Sequence, residues 1–207
     1  MTIDISSNYI AIQGAKTHYL DVGQVAAPSV ILLHGASFSG QIWRELGTVE
    51  LCASQGYRVI ALDLPGCGKS EILSTGSLQE LLVDFFTHLQ LNSPVLVAPS
   101  LSGGYSLPFI LAHGEMLRGF VAVNTVGVSR FAPQLKQVEV PTLIIWGSQD
   151  RIISVEQADL LTQAMPNSRK IILENAGHNC YLDAPEEFNK HLLNFLKSLG
   201  RREFNCR

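Results

Sequence analysis

A chain of 207 residues with 46% hydrophobic and 16% charged side chains has the volume for one well-buried core, and its composition excludes intrinsic disorder. A net charge of -3 without a basic run or basic-aromatic stripe argues against nucleic acid as a partner. No apolar run approaches a membrane span, and Met1-Thr2-Ile3-Asp4-Ile5 lacks the features of a signal peptide, so no membrane partner and a cytoplasmic location are expected.

In chain order, residues 9–22 alternate apolar and polar on both sides of Gly14-Ala15 and predict a β-hairpin. Val30-Ile31-Leu32-Leu33 is a continuous apolar run of the kind buried on both faces of a parallel sheet, and it ends in His34-Gly35-Ala36-Ser37. A helix from Trp43 to Gln55 is predicted to stop at Gly56. A second buried strand, Arg58 to Asp63, leads into Leu64-Pro65-Gly66-Cys67-Gly68-Lys69-Ser70. The Gly-Lys-Ser here is not a phosphate loop, because Asp63 stands where that motif needs its first glycine.

Further helices are predicted over 78–91, from the segment after Ser100 to about His113, over 155–165 and over 185–199. The intervening strands are 95–98, 120–124, 142–146 and 168–173. Strand-helix alternation throughout predicts an α/β fold: a mostly parallel, doubly wound, eight-stranded sheet beginning with an antiparallel hairpin. Residues 1–199 read as one domain. Gly200 to Arg207 breaks the helical pattern and reads as a disordered tail foreign to it.

The stretch Pro94-Val95-Leu96-Val97-Ala98-Pro99-Ser100-Leu101-Ser102-Gly103-Gly104 runs from an apolar strand through small residues into a helix. A serine on such a tight strand-to-helix turn points out of the sheet, the logic of the nucleophile elbow. Ser100 and Ser102 both have small residues two places away. The strand ending near Ala98 favours Ser100, with Ser102 as the alternative nucleophile. Serines capping a helix would give a similar local pattern, so partners decide.

In a doubly wound sheet, ligands bind beyond the carboxyl ends of the strands. Those positions hold His34-Gly35-Ala36, Asp63, Ser100, Asn124, Gly147-Ser148-Gln149-Asp150 and Ala176-Gly177-His178. Serine, aspartate and histidine follow in the chain order of a hydrolase triad, with His178 as base and Asp150 as its orienting acid. The amides of Ala36 and Leu101 are the expected oxyanion donors. Asp63 and Asp183 are alternative carboxylates, and His34 is expected to shape the oxyanion turn rather than act as base. His178-x-Cys180 alone, without two further ligands, does not make a metal site. The four cysteines, Cys52, Cys67, Cys180 and Cys206, lack CxxC spacing and fit reduced thiols.

Leu33-His34-Gly35, Asp63-Leu64-Pro65-Gly66, the elbow at Ser100, Trp146-Gly147-Ser148-Gln149-Asp150 and Ala176-Gly177-His178 together resemble the α/β-hydrolase superfamily along nearly the whole chain. Pro99-Ser100-Leu101-Ser102-Gly103, Tyr105-Ser106-Leu107-Pro108-Phe109 and Cys180-Tyr181-Leu182-Asp183 are similar to its domain-containing-14 group. That resemblance carries the nucleophile onto Ser100, the acid onto Asp150 and the base onto His178. It implies hydrolysis of short acyl esters. It also implies movement of an acetyl group from an amine, such as acetyl-lysine, to coenzyme A. No other cofactor and no metal is expected.

Only residues 125–141 link the strand at 120–124 to the next, too few for a cap domain. The expected site is therefore open, suited to a small acyl ester or an acetylated amine, with Phe38, Trp43, Phe131 and Tyr181 as candidate apolar walls. A non-catalytic binding protein on the same fold is the remaining alternative.

Overall fold

The computed structural model describes residues 4–74 and 78–200. The first three residues, Cys206 and the predicted tail from residue 201 onward lie outside the described residues. One sheet runs in the order β1-β2-β4-β3-β5-β6-β7-β8. Its strands are β1 (Ser6–Ile12), β2 (Ala15–Val22), β3 (Ser29–Leu32), β4 (Arg58–Leu62), β5 (Val95–Pro99), β6 (Gly119–Val123), β7 (Thr142–Gly147) and β8 (Ser168–Leu173). Strand β2 pairs antiparallel with β1 and β4, and from β4 to β8 the neighbouring strands are parallel. The α/β, mostly parallel class expected from the sequence is the class observed. The hairpin pivots one residue earlier than expected: Gln13 and Gly14 take the positive φ values of 50° and 80°, and Ala15 already pairs with Ile12. Two left-handed residues match the twist of a two-residue hairpin loop.

The central strands β3 to β7 are buried at every position because each face is covered by a different helical layer. Ile31, Ile60, Leu96, Phe120 and Ile144 pack on one side with side chains of α3 (Leu78–His88), α4 (Gly103–His113), α5 (Val128–Phe131) and α6 (Glu156–Ala164). Their neighbours Val30, Val59, Val97, Val121 and Leu143 pack on the other. There they meet α1 (Gln41–Glu45), α2 (Thr48–Ser54), α7 (Cys180–Asp183) and α8 (Pro185–Ser198). Period-two alternation sends adjacent residues to opposite cores, each buried Val, Leu or Ile contributing roughly 1.5–3 kcal/mol.

The helix predicted over 43–55 is two helices. Gly47 at φ 69° closes α1, its N–H donating to the Arg44 carbonyl, and reorients the chain into α2. Between β6 and β7, the described residues form only α5 and a 3-10 turn at Leu135–Gln137, and no cap domain. Among the described residues, no helix is long and apolar enough to cross a membrane.

Candidate active site

From β3 the chain moves to β4 on one side, then returns past β3 to β5 on the other. The connections after β3 and β5 therefore diverge at the carboxyl ends of two adjacent strands, the place where doubly wound sheets bind their ligands. Ser100 stands at this point, first in a 3-10 turn (Ser100–Ser102) that runs into α4. Its φ is 48°, a left-handed conformation that costs a non-glycine residue about 1–3 kcal/mol and persists only where its surroundings hold it. They do so here. The Val126 N–H donates to the Ser100 carbonyl at 3.1 Å, and the Thr125 hydroxyl to the Ala98 carbonyl at 3.2 Å. A methyl on Gly103 would lie 2.4 Å from the Val126 carbonyl oxygen, so only glycine lets α4 start this close to the segment after β6.

Ser102 has another role. It is fully buried and its hydroxyl donates to the His34 carbonyl at 2.6 Å, tying the elbow to the turn after β3. A hydroxyl so placed faces neither solvent nor an imidazole, which favours Ser100 over Ser102.

His178 and Asp150 arrive on neighbouring loops after β8 and β7. Gly147 brings those loops together, since a Cβ there would lie 2.2 Å from the Gly177 carbonyl oxygen. The Gln149 N–H donates to the Ala176 carbonyl (2.8 Å), the Asn175 N–H to Ser148 Oγ (2.9 Å) and the Gly177 N–H to Asp183 Oδ2 (2.7 Å). His178 Nε2 then lies 2.8 Å from Ser100 Oγ, and His178 Nδ1 lies 2.9 Å from Asp150 Oδ2. A carboxylate only accepts, so Nδ1 carries the proton and the lone pair of Nε2 faces the serine hydroxyl.

The Asp150 side chain is completely buried and His178 is 17% exposed. Burial pushes the Asp150 carboxyl up, but bonds from His178, the Ile153 amide, Asn124 and the Ile152 amide outweigh it and hold the group below the usual carboxylate range. The Ile152 and Ile153 amides sit 2.8 and 2.9 Å from Oδ1, and Asn124 Nδ2 lies 2.5 Å from Oδ2. Asn124 was visible in the sequence only as a residue following a strand. That position, next to β7 in the sheet, is what brings its amide to Asp150.

The alternative carboxylates are occupied elsewhere. Asp183 holds the Gly177 amide, and Asp63 accepts from His18 Nδ1 (2.8 Å), the Gly40 N–H (2.7 Å) and the Lys69 N–H (2.8 Å). The Gly-Lys-Ser turn thus cradles an internal carboxylate: Gly68, at φ 55°, has no room for a side chain against Asp63.

His34 is buried, donates from Nδ1 to the Gly35 carbonyl (2.8 Å) and accepts the Leu64 N–H at Nε2 (2.9 Å). Burial lowers its pKa despite that carbonyl and the nearby Asp63. A methyl on Gly35 would be 3.7 Å from Ser100 Cβ, 3.6 Å from the Phe38 ring and 3.5 Å from the Tyr181 hydroxyl, so the turn carrying Ala36 lies beside the elbow. Leu101 is 37% exposed beyond Ser100. Phe38 and Phe131 are half-buried, whereas Trp43 and Tyr181 are core residues, stacked on each other at 5.0 Å. Cys180 is also in that core, and burial pushes its thiol up. Cys52, Cys67 and Cys180 are free thiols. No cluster of three or more metal-ligating side chains occurs among the described residues.

An α/β-hydrolase family model matches residues 28–133 and 128–185. The rat protein provisionally named protein-lysine deacylase ABHD14B is 38% identical over 96% of this chain and 99% of its own length. Human ABHD14B, under the same provisional name, is 42% identical over 83% of this chain and 84% of its own. The crystal structure of a Thermoplasma acidophilum protein described as a predicted CIB-like hydrolase superposes with a TM-score of 0.90 at 25% identity, covering 95% of this chain and all of that one. The chain belongs to the α/β-hydrolase family, close to the ABHD14 proteins.

Proposed function

We propose that the protein is a serine hydrolase that cleaves small acyl esters through an acyl-enzyme on Ser100. The observation that carries this reading is the hydrogen-bonded chain from Ser100 Oγ through His178 to Asp150, standing at the topological switch point. Ser100 attacks the acyl carbon while its proton passes to His178 Nε2, and Asp150 stabilises the imidazolium. The amides of Ala36 and Leu101 receive the oxyanion, an interaction worth about 10²–10³ in rate per donor in comparable sites. The tetrahedral intermediate collapses, the alcohol leaves with the proton from His178, and water repeats the sequence to release the acid.

No cap domain lies between β6 and β7 among the described residues to cover Ser100. Half-buried Phe38 and exposed Leu101 offer apolar surface beside Ser100 to a short acyl group. This suits a small acyl unit better than a long chain enclosed beneath a lid.

The provisional names of the rat and human relatives favour a second reading, in which the acyl group comes from an acetylated amine. The same acyl-enzyme would then be resolved by water or by a thiol such as coenzyme A, a co-substrate rather than a resident cofactor. We expect either reaction to take place in the cytoplasm.

The test is turnover of p-nitrophenyl acetate by the wild type, Ser100→Ala and Ser102→Ala, with and without coenzyme A. Ser100→Ala is expected to lower kcat by about 10⁴-fold or more, whereas Ser102→Ala keeps at least a tenth of it. Acetyl-coenzyme A among the products would assign the transfer reaction. Equal turnover in wild type and Ser100→Ala would overturn the hydrolase reading, and no turnover in any of the three would favour a binding role.

A further inference from the structure

A second Ser-His-Asp chain lies on the antiparallel part of the sheet, assembled from residues outside the site described above. Ser7 on β1 is exposed, and its Oγ lies 2.8 Å from Nε2 of His18 on β2. His18 Nδ1 lies 2.8 Å from Oδ2 of Asp63, which follows β4. His18 is 4% exposed and Asp63 2%, so both supporting groups are fixed in the interior.

Asp63 is an acceptor for two backbone amides as well as for the imidazole. The proton of His18 therefore sits on Nδ1, and the Nε2 lone pair is directed at the Ser7 hydroxyl. The pairing of β1 with β2 places Tyr9 opposite His18, and their rings meet at 5.0 Å. The Lys16 ammonium lies 4.1 Å from the centroid of the same Tyr9 ring.

We propose that Ser7 is a second nucleophile, a modification site that accepts an acyl group from small activated donors such as aryl esters or thioesters. A serine bonded to an imidazole that is oriented by a carboxylate has the general base it needs to attack an acyl carbon. In the reaction, the Ser7 O–H bond breaks and its proton moves to His18 Nε2. A new bond forms from Ser7 Oγ to the acyl carbon. The bond to the leaving oxygen or sulfur breaks, and the phenol or thiol departs with the proton from His18.

Ser7 lies within a strand, without the helix start and adjacent turn that flank Ser100. Lacking such donors costs about 10²–10³ in rate, and it slows hydrolysis of the acyl-serine as much as its formation. Formation still outpaces hydrolysis because an aryl ester or thioester is a more activated acyl donor than the serine alkyl ester it leaves, so Ser7 is modified once and retains the group rather than turning over. This inference does not depend on the role proposed for Ser100.

The experiment uses the full chain carrying Ser100→Ala, incubated with p-nitrophenyl acetate, digested and analysed by peptide mass spectrometry. Ser6, exposed on the same strand with its hydroxyl donating to the Asp21 carbonyl, is the internal control. Ser7 is expected to be acetylated at least tenfold faster than Ser6, and adding His18→Gln should bring Ser7 down to the rate of Ser6. Equal rates at the two serines, or labelling of Ser7 that survives His18→Gln in a protein folded by circular dichroism, would overturn the proposal. If His18→Gln does not fold, the Ser7-to-Ser6 ratio in the Ser100→Ala protein decides alone, a ratio near one counting against it.

Discussion

Two Ser-His-Asp chains stand on one sheet with nearly the same hydrogen-bond lengths: 2.8 and 2.9 Å through His178, and 2.8 and 2.8 Å through His18. In each, the carboxylate also accepts two backbone amides. What differs is the ground beneath the serine. Ser100 is held at φ 48° between a strand and a helix, next to the turn at Gly35. Ser7 is an ordinary strand residue paired with Leu20. Three side chains in line provide a base. The sheet's switch point adds strained backbone and nearby amides, so only there is rapid acyl chemistry expected.

The largest expected separation comes from removing each carboxylate's charge. Asp150→Asn should lower kcat for p-nitrophenyl acetate by about 10⁴-fold, because an amide no longer holds the proton on Nδ1. Asp63→Asn should instead act on folding. It leaves donors facing donors where Asp63 ties His18, Gly40 and Lys69 together, at a cost of about 3 kcal/mol and about 10 °C in Tm. Thermal unfolding and steady-state kinetics on the two variants check this. If Asp63→Asn lost as much turnover as Asp150→Asn while staying folded, the two chains would not be separable.

A smaller effect is expected from geometry alone. Gly147→Ala puts a methyl 2.2 Å from the Gly177 oxygen and 2.4 Å from the Ala176 oxygen, both backbone atoms. The His178 loop must move, and displacement on the scale of an ångström is worth about 10²-fold in kcat. Gly104→Ala is the matched control, since nothing lies within 4 Å of its added methyl. Equal kinetics for the two variants would show that the loop contact at Gly147 does not position His178.

Much of this was legible in the sequence because periodicity encodes which face a residue occupies. Val30-Ile31-Leu32 reads as a strand buried on both sides because its residues alternate between two cores. The post-strand positions of Ser100, Asp150 and His178 follow from the same rule. Periodicity does not encode distant partners. The bond from Ser102 to His34 spans 68 residues and that from His18 to Asp63 spans 45, so neither the burial of Ser102 nor the second Ser-His-Asp chain could be read from local pattern. The split of α1 from α2 was missed for a different reason. Gly47 sits inside a mixed stretch, Arg44-Glu45-Leu46-Gly47-Thr48-Val49-Glu50, whose helical spacing of apolar residues resumes beyond it, and only its left-handed φ reveals the break.

The smallest expected effect concerns pH and separates the turn beside Ser100 from the carboxylate beneath it. Burial holds the pKa of His34 below its ordinary 6.5, so the folded protein binds that proton less readily than the unfolded chain. The stability this represents is complete above pH 6.5 and is lost progressively as pH falls from there through the folded value. Asp150, with its pKa below 3.8, contributes stability that is complete above that value and is lost only as pH falls further. Tm should therefore begin to fall near pH 6.5, well before Asp150 is protonated. His34→Gln keeps a donor for Gly35 and an acceptor for Leu64 but does not titrate, and should flatten this first descent by a few degrees. Parallel Tm-against-pH curves for the two proteins would show instead that the turn is insensitive to that proton, and that the acid descent begins at another group.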